Sequence, residues 1–184
     1  MEQVGEYRID VPRARVWAAL NDAEVLKRCI DGCEELAKTG ENAFHAVVRA
    51  RLGPVNAAFA GDVVLKNLDP PAGYTLEVSA KGGAAGFASG TAKVTLTEDG
   101  GATLIAYAAE GRVGGKLAQI GQRLIDAAAR KTADDFFAAL VRELSPPGAA
   151  TPSRAARPSP LVIWGGVAAV AVALALLAWR LIGG

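Results

Sequence analysis

The chain opens on a short alternation. Tyr7, Ile9 and Val11 fall on one side and Glu6, Arg8 and Asp10 on the other, the period-two pattern of a half-buried strand over residues 5–11. Pro12 ends it, and the spacing becomes helical. Val16, Trp17 and Leu20 share one face, which predicts a short helix over 13–20. A second helix over 23–29 starts behind an Asn21-Asp22 cap. Asp31-Gly32 breaks the chain, and the period returns to two. Phe44, Ala46, Val48, Ala50 and Leu52 alternate with His45, Val47, Arg49 and Arg51. Gly53-Pro54 makes a turn, after which Ala57, Phe59, Gly61, Val63 and Leu65 carry the pattern on. Tyr74, Leu76, Val78 and Ala80 alternate with Thr75, Glu77, Ser79 and Lys81. Two more strands fit 88–97 and 102–110, joined through Asp99-Gly100-Gly101. Residues 116–144 read as one long helix, stopped by Pro146-Pro147. Its apolar stripe runs through Leu117, Ile120, Gly121, Leu124 and Ala128, then through Ala133, Phe136, Phe137, Leu140 and Leu144.

A strand, two short helices, about six antiparallel strands and a long C-terminal helix make an α+β domain. An economical packing curves the antiparallel sheet around the long helix, the helix-grip fold. The stretch is large enough for one core and too small for two, and it holds no internal repeat. The inward strand positions are small: Ala46, Ala50, Ala57, Gly61, Ala80, Gly90 and Ala92. Small residues beneath a helix either leave an apolar gap, which is a ligand pocket by default, or let the helix pack down with no cavity. The pattern alone favours neither. The candidate lining of a gap is Phe44, Phe59, Gly61, Tyr74 and Leu76 on the sheet with Leu117, Ile120, Gly121 and Leu124 on the helix.

The C-terminal tail changes the picture. Between Leu161 and Trp179 there is no charged residue. A helix over 161–182 spans roughly 33 Å at about 1.5 Å per residue, against a bilayer core of about 30 Å. Trp164 and Trp179 stand near its ends, where indole rings favour the headgroup boundary, and Arg180 is placed to snorkel. Residues 145–160, rich in proline, alanine and serine, read as an extended tether. The expected organisation is therefore a ligand-binding domain over 1–144, a linker over 145–160 and a single-pass transmembrane anchor over 161–182. Arg154 and Arg157 precede the span, so the positive-inside rule keeps the N-terminal domain in the cytoplasm, and the expected location is a cell inner membrane. The start, Met1-Glu-Gln-Val, carries no basic n-region and no apolar run. Tether and anchor hold three of the 20 basic residues and none of the 19 acidic ones, which leaves the domain slightly acidic. No basic stripe with interleaved aromatics appears, and nucleic acid is not an expected partner.

Several stretches resemble a known family. Ile30-Asp-Gly-Cys33, Leu52-Gly-Pro-Val55, Phe59-Ala-Gly-Asp62, Gly86-Phe-Ala-Ser-Gly90 and above all Val113-Gly-Gly-Lys-Leu-Ala-Gln-Ile-Gly121 are similar to the CoxG family of carbon-monoxide dehydrogenase subunits, of the helix-grip, START-like superfamily. The likeness covers roughly residues 1–144. The family usually has a proline where Asp31 stands, and only part of it carries a C-terminal anchor. The resemblance implies an accessory protein that recruits a molybdenum-flavin-iron–sulfur hydroxylase, of the carbon-monoxide dehydrogenase type, to the membrane. It also implies a bound quinone that carries electrons onward, and no covalent cofactor.

The residues offer little else by way of chemistry. Cys29, Cys33 and the single histidine, His45, are too few and too poorly spaced for a structural zinc site. A cytoplasmic disulfide is not expected. His45 shares its strand face with Arg49 and Arg51 and reads as solvated. No nucleophile elbow, P-loop or dinucleotide fingerprint is present, so the expectation is a protein that is not an enzyme, with no catalytic and no metal residues. The exposed loop candidates for partner contact are Gly53, Pro54, Gly114, Gly115 and Lys116. Gln119 and Gln122 are either solvated or donors to a quinone carbonyl.

Overall fold

The computed structural model describes residues 2–145 and 153–154. Strand β1 (Glu2–Ile9) is followed by helices α1 (Arg13–Leu20) and α2 (Ala23–Cys29). Strands β2 (Cys33–Gly40), β3 (Ala43–Leu52), β4 (Val55–Asp69), β5 (Gly73–Lys81), β6 (Phe87–Asp99) and β7 (Ala102–Gly114) come next. A single helical turn, α3 (Lys116–Gln119), and the long helix α4 (Gln122–Leu144) complete the domain. The strands are antiparallel in the order β2-β3-β4-β5-β6-β7-β1. A two-residue strand β8 (Ser153–Arg154), within the expected tether, lies on the free edge of β1 opposite Tyr7 and Arg8. The domain is α+β with a curved sheet and a C-terminal helix, as the alternation requires.

Both short helices fall where the spacing places them. Asp22 caps α2, its Oδ1 accepting from the backbone N–H of Glu24 at 2.8 Å and of Val25 at 3.2 Å. In α1 the buried side chains are Val16, Ala19 and Leu20, and Trp17 is half-buried with its ring edge against Tyr74. Strand β2 lacks a readable alternation, because Leu36 is its one buried side chain and register shifts at Cys33/Glu35 and Lys38/Gly40 interrupt it. It is an edge strand, and charged outward residues suit an unpaired edge.

The predicted helix over 116–144 is two helices. Gly121 sits at φ 92° and ψ 142°, outside any helical region, and restarts the chain as the residue preceding α4. The backbone N–H of Leu124 and of Ile125 then bond its carbonyl at 3.2 and 3.3 Å. That break rotates the stripe. Leu124 is 56% exposed and Gly121 is exposed, while Ile125 and Ala129 turn inward. From Ala133 on the predicted stripe is the observed one, with Ala133, Phe136, Phe137 and Leu140 buried. Among the described residues no helix is long and apolar enough to cross a membrane. The expected anchor over 161–182 lies outside the described residues.

Candidate functional site

Helix α4 lies against the concave face of the sheet and is held there by aromatic contacts. The Tyr7 ring stacks on Phe137 at 4.1 Å between centroids, and Tyr107 stacks on Phe137 at 5.8 Å. The Tyr7 hydroxyl donates to Asp134 Oδ1 at 2.6 Å, and Tyr7 and Tyr107 share a further hydrogen bond. Burial, then the bond to Asp134, pushes the Tyr7 phenol well above its ordinary pKa. Closer to the N-terminus of α4, Gln3 Nε2 donates to the Asp126 carbonyl at 2.9 Å.

Between the second half of α4 and the sheet there is a cavity of about 100 Å³. Its floor is Phe44, Ala46 and Val48 of β3, Val63 and Leu65 of β4, and Tyr74, Leu76 and Val78 of β5, with Val94, Ile105 and Tyr107 from β6 and β7. Ala133, Phe136 and Phe137 form the roof, and Leu20, Leu26, Ile30 and Leu36 close the side nearest α1, α2 and β2. Leu26 and Ile30 are half-buried. The lining carries no formal charge. Its polar atoms are the Tyr74 and Tyr107 hydroxyls and backbone groups already engaged in the sheet.

The structure divides the sequence-derived lining candidates. Phe44, Tyr74 and Leu76 line this cavity. Phe59 and Gly61 instead border a separate void of about 10 Å³ beside Ala80, room for at most one water. Leu117, Ile120, Gly121 and Leu124 line neither: Leu117 is buried near the loop end, Ile120 is half-buried, and Gly121 and Leu124 face outward. The reason is the break at Gly121, which takes the first turn of the helical region out of line. Any Cβ at Gly121 meets nothing within 4 Å but forces an L side chain to a positive φ, so a substitution there is a backbone change and fills no gap. Gln119 is exposed, and Gln122 is exposed with its amide on Asp126 Oδ1 at 2.8 Å, so neither reaches the cavity. The sequence pattern does not reveal the α2 corner as lining. It places Ala133, Phe136 and Phe137 in the core stripe without showing that they roof a cavity.

The partner-contact candidates occupy loops as expected. Gly53, Pro54, Gly115 and Lys116 are exposed and Gly114 is half-buried. The motifs around 86–90 and 113–121 meet at one end of the sheet. A Cβ on Gly86 would collide with the Gly114 carbonyl oxygen, and one on Gly115 would come within 2.6 Å of Gly86 Cα. Phe87, paired with Gly114 across the strands, is 49% exposed beside them. Elsewhere, His45 Nδ1 lies 2.8 Å from Asp62 Oδ1 on the outer face. Cys29 and Cys33 are free thiols, and burial pushes Cys29 up to about 12. Among the described residues no group of three or more His, Cys, Asp or Glu stands where it could hold a metal ion. A larger groove on the outer face, lined by Asp62, Glu77, Glu110 and Arg112 among others, is polar and open. The enclosed apolar space beneath α4 is the better ligand site.

Comparison with known proteins agrees with this geometry. The family model for CoxG, a carbon monoxide dehydrogenase subunit, matches residues 5–145. No curated protein matches the chain. Among solved structures, a conserved protein from Geobacillus kaustophilus is similar at 28% identity and a TM-score of 0.72, over 78% of this chain and 95% of that one. The Zhui aromatase/cyclase from Streptomyces sp. R1128 is similar at 12% identity and a TM-score of 0.55, over 78% and 93%. Ara h 8.0201 is similar at 15% identity and a TM-score of 0.53, over 78% and 97%. The last two show a shared fold, that of START-like helix-grip proteins.

Proposed function

This chain belongs to the CoxG family of carbon monoxide dehydrogenase subunits, and from that premise we propose that it is a membrane-tethered accessory protein, not an enzyme, that holds a quinone beneath α4. In this reading it brings a molybdenum-flavin-iron–sulfur hydroxylase of the carbon-monoxide dehydrogenase type to the bilayer, and the quinone carries that enzyme's electrons onward. The observation that carries it is the cavity: enclosed, without formal charge and roofed by the helix that the fold grips. An apolar ligand gains hydrophobic free energy by entering such a space, and the uncharged lining offers no acid or base to act on it. The apolar run over 161–182 supplies the tether, with the domain on the cytoplasmic side of a cell inner membrane.

Size limits what enters. A cavity of about 150 Å³ lined by apolar side chains admits benzene, whereas drug-sized ligands need roughly 300 Å³ or more. At about 100 Å³ the space suits a single substituted ring after a small outward shift of its walls. A prenyl tail would leave past Leu26 and Ile30, the half-buried corner at α2. The test is to purify the full chain from membranes in mild detergent and identify co-purified small molecules by mass spectrometry. A quinone is expected. Phospholipid instead would make the protein a lipid-binding anchor without an electron role, and conversion of a bound compound would make it a START-like enzyme. Lys116→Glu is expected to reduce co-sedimentation of the hydroxylase with membranes while leaving the domain folded; unchanged co-sedimentation removes this contact.

A further inference from the structure

The cavity is apolar except at one place. Of its two tyrosines, Tyr107 is tied by a hydrogen bond to Tyr7, which itself donates to Asp134. Tyr74 is different. It is 6% exposed, its ring meets the Trp17 edge at 5.5 Å, and its hydroxyl has no hydrogen-bond partner among the described residues. Burial alone raises its pKa, with no hydrogen bond contributing. A buried hydroxyl without a partner is costly to keep, and phenylalanine would fill the same volume without that cost. The feature makes sense if the partner arrives from outside.

We propose that the Tyr74 hydroxyl donates a hydrogen bond to a carbonyl oxygen of the ligand, so that the cavity selects an apolar ring bearing an acceptor oxygen over the bare hydrocarbon. The proposal rests on the cavity being the ligand site and names what sets its specificity. Tyr74 stands at the start of β5, opposite Val94 of β6, and shares the cavity wall with Leu20 and Leu76. A ring entering past Leu26 and Ile30 therefore meets a wall of carbon with one donor in it. Since neutral phenol is the donor and burial holds it neutral, the preference persists through the physiological pH range.

The test uses the full chain in detergent and two probes of nearly equal shape, duroquinone and durene, which share a ring and four methyl groups and differ in the two carbonyl oxygens. Both lack the reactive ring positions that would complicate work near Cys29 and Cys33. The wild type should bind duroquinone more tightly than durene. Tyr74→Phe should weaken duroquinone about 3- to 10-fold, the net effect of one hydrogen bond, and leave durene unchanged. Tyr107→Phe should keep the preference. The infrared carbonyl band of duroquinone bound to the wild type should fall below its position in hydrocarbon solvent, which reads the hydrogen bond without any variant. If Tyr74→Phe keeps the full preference, or the carbonyl band does not move, the Tyr74 assignment is wrong and the quinone reading stands. Equal binding of both probes by the wild type also overturns the assignment. Binding of neither overturns the ligand site itself.

Discussion

The two halves of α4 meet the same sheet and end differently. Under the first half there is no room. The bond from Gln3 to the Asp126 carbonyl, with Gln3 opposite Ala109 across the strands, sets this part of the helix level with the alanines of β6 and β7. Ala92, Ala109 and Ala129 are each 0% exposed. Under the second half, where the sheet presents Phe44, Val63, Leu65, Tyr74 and Val94, the cavity opens. Small side chains thus do not mark the gap. They mark where backbones come close, whereas large side chains meeting across a curved sheet hold the layers apart and leave space between their ends. Close packing of the first kind resembles an ordinary protein interior, and only the second kind offers a ligand site.

The contrast is sharpest in stability measurements. Leu96, 1% exposed and away from the cavity lining, should cost about 2–5 kcal/mol when replaced by alanine, read by urea denaturation. A loss much below that range would mean the closely packed half can collapse around a void. Next comes a pair one helical turn apart. Ala129→Leu overpacks the closed half and should cost about 1–3 kcal/mol. Ala133→Leu points its added carbon into the cavity, so it should cost less than about 1 kcal/mol while reducing duroquinone binding strongly. Equal costs for the two would erase the distinction between the halves.

The smallest effect comes from Cys29, buried at the end of α2 outside both. Its folded pKa is about 12 against an ordinary value of 9.0, so the unfolded chain releases this proton first. The associated stability is present below pH 9 and is lost as pH rises toward 12. At pH 10 the loss relative to pH 8 should be about 1 kcal/mol greater in the wild type than in Cys29→Ala, near the roughly 1.4 kcal/mol per unit that linkage sets. Identical pH dependence of the two thermal midpoints would show that the thiol ionises freely in the fold.

What the residues determine alone is the local frame and the family. The alternation in β3 to β7 assigns every inward side chain to its face because one slip of register would turn all of them out. Pro12, the Asp22 cap and Asp99-Gly100-Gly101 mark ends by chemistry that acts within a few residues. The motifs over 30–33, 52–55, 59–62, 86–90 and 113–121 point to the family that the match over 5–145 shows. Strand β2 escaped because an edge strand with one buried residue and two register shifts has no period to read. Gly121 escaped because a glycine in an apolar stripe looks the same whether its φ is negative or positive, and only the folded backbone gives it 92°. The place of the cavity, and the unpartnered hydroxyl of Tyr74 within it, were decided by tertiary structure alone. A void is the difference between the spacing of two layers and the reach of the side chains between them, and that spacing is set jointly by the aromatic stack on Phe137, the alanines under Ala129 and the closure by α2. No stretch of sequence contains that sum.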